Sequence, residues 1–120
     1  MNKRPLLVTI IGLLHIVVGT GGFAFHLNEI GPQHAFQGGN CWIFVIESVA
    51  IVGGTLLLRG NNWGRWVALA WITFHVVFSS FFSLGKAAGH AVILVLFAYV
   101  LFRPEANTYF RRQRTMGRAA

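Results

Sequence analysis

The sequence predicts an all-α integral membrane protein: an up-down-up-down bundle of four transmembrane helices with both termini cytoplasmic. Three observations predict it. The 120-residue chain is 55% hydrophobic and only 11% charged, whereas a soluble domain carries about 25% charged residues. A water-soluble globule of this length needs polar side chains over much of its surface, and they are missing. The apolar residues collect in four stretches, and the basic residues fall almost wholly on one side of them. The length leaves room for one domain: residues 1–103 as the transmembrane part, with helices over about 5–27, 41–58, 64–84 and 87–103, and 104–120 as a basic cytoplasmic tail.

The first stretch, Leu6–Leu27, is free of Asp, Glu, Lys and Arg. Lys3 and Arg4 precede it as in a signal peptide, but a signal core is about 7–15 residues long and ends at a small-x-small site. This run is longer and ends in Phe23, Phe25 and His26, so it reads as a retained helix. The second, Trp42–Leu58, is interrupted only by Glu47, and the third, Trp66–Leu84, has no formal charge. The fourth, Ala87–Phe102, is the shortest. A helix crossing about 30 Å of hydrocarbon takes roughly 17–25 residues, and local thinning absorbs a small shortfall. Backbone groups in lipid must be bonded internally, and four segments cannot close a barrel, so helices remain.

Orientation follows from the ten basic residues. With four spans the termini and the second loop share a side, which holds Lys3, Arg4, Arg59, Arg65, Arg103, Arg111, Arg112, Arg114 and Arg118; the other side holds only Lys86. That asymmetry puts both ends in the cytoplasm of a multi-pass inner-membrane protein. Between the first two spans, Gly31-Pro32 and Gly38-Gly39 read as an ordered outer turn. Arg59–Arg65 reads as a tight hairpin with Gly60 just past a helix end. Arg59, Arg65, Arg103, Arg111, Arg112 and Arg114 are expected at lipid headgroups, beside Trp63 and Trp66 in the aromatic belt. The net charge of +7 raises nucleic acid as a partner, but the basic residues flank spans and form no folded face, which argues against it.

Small and polar residues inside the spans carry the remaining information. Gly12, His15, Gly19, Gly22 and His26 recur at +3 and +4, one stripe of the first helix, and Gly54 continues a comparable stripe on the second. Small residues at that rhythm let backbones approach closely, so Gly12, Gly19, Gly22 and Gly54 are expected at helix contacts. At 1.5 Å per residue His15 and His75 lie about 13–15 Å from the cytoplasmic edge, near the midplane. Glu47 lies about 8 Å inside its helix, toward the outer side. A charge at such depth should face protein, so Glu47 is expected to pair with His26, His75, Ser79 or His90. Two midplane histidines on different helices also suggest axial ligation of a tetrapyrrole, haem b or chlorophyll. HIVV at His15 and HVVF at His75 even resemble a duplication.

Enzyme motifs are missing. There is no HExxH, GxSxG or P-loop, and Gly19-Thr20-Gly21-Gly22 lacks the strand and lysine of a phosphate loop. A Ser79–His75–Glu47 relay is sterically conceivable but comes with no oxyanion site. Cys41 is the only cysteine, so no internal disulfide or multi-cysteine metal site is expected, and no metal centre at all.

RPLLVTIIG at Arg4–Gly12, LLRGNNWGRWVALAWITFHVVFS at Leu57–Ser79 and YVLFRPEANTYFR at Tyr99–Arg111 resemble small four-helix bacterial integral membrane proteins that carry no assigned activity. The resemblance spans most of the chain outside Asn28–Cys41, and implies a bacterial inner membrane and no particular reaction. The expectation is therefore a non-enzymatic accessory subunit. It would pack against lipids and larger membrane proteins, or copies of itself, in a complex of respiratory or photosynthetic kind. The competing expectations are a haem or chlorophyll carrier using His15 and His75, and a proton-coupled transporter or channel using Glu47.

Overall fold

The computed structural model describes residues 3–119, the last two as backbone only, and every regular element among them is helical. Five α-helices follow one another: α1 (Leu6–Ile30), α2 (Cys41–Leu58), α3 (Trp63–Ser80), α4 (Leu84–Leu101) and α5 (Pro104–Ala119), with one 3-10 turn at Gly38–Asn40. Three segments are long and apolar enough to cross a membrane: α1, Gly38–Leu58 and α4. The third stretch departs from expectation. Its helix begins at Trp63 and includes Arg65, as the expected 64–84 segment did, but it stops at Ser80, leaving Phe81, Phe82 and Ser83 in a turn before Leu84 opens α4. With His75, Ser79 and Ser80 also inside it, α3 is the least apolar of the four long helices.

The first four helices pack successively on one another, and the contacts of α1 with α2, α2 with α3 and α3 with α4 run in opposite directions along each pair. Gly12 meets Gly54 while Gly22 meets Glu47, so α1 and α2 are antiparallel. A Cβ on Gly12 would lie 3.2 Å from Gly54 O, and one on Gly19 would lie 2.7 Å from Glu47 O. The +3/+4 stripe thus becomes a backbone-to-backbone seam, in which any larger side chain would separate the helices. Between α2 and α3, Gly53 faces Val67 and Ala68, and Gly64 faces Leu57. The Trp71 indole N–H there donates to Ile46 O at 3.0 Å. Between α3 and α4, Arg65 reaches Leu101 O at one end and Ser79 reaches His90 at the other.

The turns are built by residues that suit them. Asn61 N donates to Leu56 O and Gly60 N to Leu57 O, the paired bonds of a Schellman stop. Gly60 takes φ +74° there, a left-handed value that a Cβ disfavours. Asn61 Oδ1 then accepts from Trp63 N and starts α3. Ser83 caps α4, accepting from Lys86 N at 3.3 Å.

Residues 104–119, read from sequence as a tail, form α5 instead. Pro104 suits the first helical position, and Glu105 complements the positive helix start. Ala106, Tyr109 and Phe110 share one face and are buried. They join Val8, Ile11, Leu57, Ala68 and Leu101 in the larger core cluster. That cluster lies where α1 and α3 begin and α2 and α4 end, so α5 closes this end of the helical body. The polar and basic residues of α5 lie on its other faces, which is why average composition concealed the helix.

Candidate functional site

The side chains with chemical potential fall into three groups. The first joins α1 to α2. Glu47 is 8% exposed, and its Oε1 lies 3.5 Å from His26 Nδ1. The same nitrogen donates to Gly22 O at 2.8 Å, the carbonyl one turn back. Glu47 is admitted because Gly22 has no side chain: a Cβ there would lie 2.5 Å from Oε2. That oxygen has no hydrogen-bond partner.

The second group is a column of rings across α1, α3 and α4. His15, 1% exposed, lies 5.1 Å from Trp71 and 5.5 Å from Phe97 between ring centroids. Trp71 continues to His75 at 4.2 Å, and His75 to His90 at 5.7 Å. His90 Nδ1 lies 3.2 Å from Ser79 Oγ. Each of these histidines places Nδ1 against the carbonyl four residues earlier: His15 on Ile11, His75 on Trp71, His90 on Lys86. A carbonyl only accepts, so Nδ1 carries a proton in each of them. His15 Nε2 is buried without a hydrogen-bond partner.

These positions revise the sequence-based cluster. His26 is the partner of Glu47, while His90 and Ser79 pair with each other on α3 and α4. The conceivable Ser79–His75–Glu47 relay is therefore not assembled, because the Ser79 hydroxyl is turned to His90. Depth along the axis selected the candidates, but rotation about the axis separated them. His15 and His75 share a level, yet the Trp71 indole lies against both rings. A macrocycle ligated by both imidazoles would have to displace that indole, so the residues present do not fit a shared haem or chlorophyll. Among the described residues no group of three or more metal-binding side chains occurs.

The third group was not anticipated. Arg65, expected at headgroups, is 9% exposed. Its guanidinium donates to Asn62 Oδ1, to Leu101 O at 3.2 Å and to Asn107 Oδ1 at 2.5 Å. It also lies 4.5 Å from the Phe102 ring centroid and 4.8 Å from that of Phe110. One cation thereby joins the α2–α3 turn, the end of α4 and α5. A buried arginine needs several acceptors at once, and three elements supply them. The signal available in sequence was the pair of amides, Asn62 three residues before Arg65 and Asn107 in the apolar rhythm of α5. Of the other expected headgroup residues, Arg59, Arg111, Arg112 and Arg114 are exposed. Arg103 pairs with Glu105 at 3.3 Å.

Glu47→Gln should leave folding and assembly intact, since the amide keeps the shape and still faces His26. Glu47→Leu should lower thermal stability by about 1–3 kcal/mol, the cost of a buried polar partner left unsatisfied. Thermal denaturation of both variants in detergent checks this; equal losses would show that the carboxylate charge itself holds the pair.

No family model, curated protein or solved structure matches the chain.

Proposed function

We propose that this chain is a four-span subunit of a bacterial inner membrane, with both ends cytoplasmic, that packs laterally against larger membrane proteins and performs no chemistry itself. The observation that carries the reading is the outer surface of α4. Only 11% of that span is buried within the chain, and Val92, Val95, Leu96 and Tyr99 stand exposed along it. Apolar helix faces of this kind are covered by lipid or by other helices. Outside the long helices the described chain has only short connections and α5. The resemblance to small bacterial membrane proteins and the basic asymmetry support the membrane and the orientation.

Two measurements test this. Reporter fusions after Gly39 and Gly85 should behave as periplasmic, and one after Asn61 as cytoplasmic; a reversed pattern would overturn the orientation. A photo-crosslinker at Val95 should give a discrete high-mass protein adduct in native membranes. A self-adduct of twice the chain mass would mean a homo-oligomer, and lipid adducts alone would defeat the subunit role.

A second reading, proton-coupled transport, draws on the unpartnered Glu47 Oε2 beside His26. It requires that Glu47→Gln abolish a pH-driven flux in proteoliposomes while the variant folds normally.

A further inference from the structure

The α2–α3 turn and α5 enclose a cavity of ≈ 210 Å³ lined by Asn62, Arg65, Asn107, Phe110, Arg111 and Arg114. Three guanidiniums and two amides converge on it, and no acidic side chain lines it. Arg65 forms its inner wall and is nine-tenths buried. Its hydrogen-bond partners are all neutral: two amide oxygens and one carbonyl. Glu105, the acid of α5, is engaged by Arg103 at 3.3 Å. A buried cation whose partners are neutral keeps its full charge in a medium that screens it poorly, and so favours a nearby anion. Arg111 and Arg114, one turn apart on α5, put two more forked donors at the mouth. Forked donors match the oxygens of a phosphate in pairs.

A second, wider cavity of ≈ 720 Å³ adjoins the first, sharing Asn62 and Arg114 and reaching to Arg59 and Trp63. It leaves space for whatever the phosphate is attached to. We propose that the smaller cavity is a phosphate-binding site, with Arg111 and Arg114 on the phosphate oxygens and Arg65 as the buried charge behind them. Two sources carry that chemistry: the headgroup of an anionic phospholipid, and free phosphate in solution. The proposal does not depend on the subunit role. It concerns α5 and the α2–α3 turn alone.

The test uses the full chain, with inorganic phosphate added in detergent at constant ionic strength. In parallel, nanodiscs of phosphatidylcholine are compared with nanodiscs containing phosphatidylglycerol. The denaturation midpoint should rise saturably with phosphate, or with phosphatidylglycerol, or with both. Phosphatidylglycerol alone would identify the headgroup as the source, and phosphate alone the free anion. R111Q/R114Q alters two exposed side chains and should weaken the effect about tenfold or more. The charge-matched K3Q/K86Q should leave it within about twofold. Asn62→Asp gives an independent reading, because a carboxylate beside Arg65 supplies the missing countercharge: the midpoint without ligand should rise and the response should vanish. No saturable response to either source, or equal weakening in the two double variants, would overturn the site.

Discussion

Gly54→Leu should separate α1 from α2 and lower stability by about 1–3 kcal/mol or more, the range for overpacking a close contact. A Cβ at this position would lie 2.5 Å from Gly12 O, 2.9 Å from Ile16 Cγ1 and 3.0 Å from His15 Cβ. The first of these is backbone and has no rotamer to change, so relief requires the helices to move apart. Gly19→Leu should act similarly, through Glu47 O at 2.7 Å. Gly21→Leu and Gly89→Leu are the controls, because nothing lies within 4 Å of a Cβ at either position. Circular dichroism melts in detergent, with size-exclusion profiles, read the difference. Equal midpoints for Gly54→Leu and Gly21→Leu would mean that the seam is not a tight contact.

Arg65→Ala should release α5 and cost about 2–4 kcal/mol, given roughly 1.5–3 kcal/mol for a hydrogen bond to a charged group. The substitution leaves Asn62 and Asn107 without their shared donor and removes the cation between two aromatic rings. Because α5 adds Tyr109 and Phe110 to the core cluster, the same change should expose α5 to local unfolding before the rest of the chain unfolds. Trypsin should then cut at the α5 arginines faster than in the wild type. Arg65→Lys should fall between the two, since an ammonium keeps the charge but lacks the planar fork. Wild-type melting and protease resistance in Arg65→Ala would sink this account of the junction.

Much of the architecture was legible along the chain. Apolar runs of helix-spanning length are a local property, and α1, α2 and α4 follow from them. The glycine stripe of α1 was also legible, because residues three and four apart share a face in any helix. Other features were harder to see. The third segment was expected over 64–84, yet its helix stops at Ser80, and the turn into α4 takes up Phe81, Phe82 and Ser83. In α5 three buried residues are outnumbered by polar and basic ones, so average composition read as a tail.

The sequence by itself determined the helical class, the apolar segments, the small-residue seam on α1 and the position of each polar side chain along its helix. Run length and residue spacing are one-dimensional quantities, and these features depend on nothing else. Tertiary structure alone decided which polar residues meet. Glu47 had four partners at compatible depth and took His26, while Ser79 took His90. His15 and His75 share a level but have Trp71 against both rings. Arg65 left the surface because Asn62, Leu101 and Asn107 converge on it from three elements. Each outcome turns on the rotation of one helix about its axis against its neighbour. That angle is set by how side chains of several helices pack at once, and no single stretch of sequence contains it.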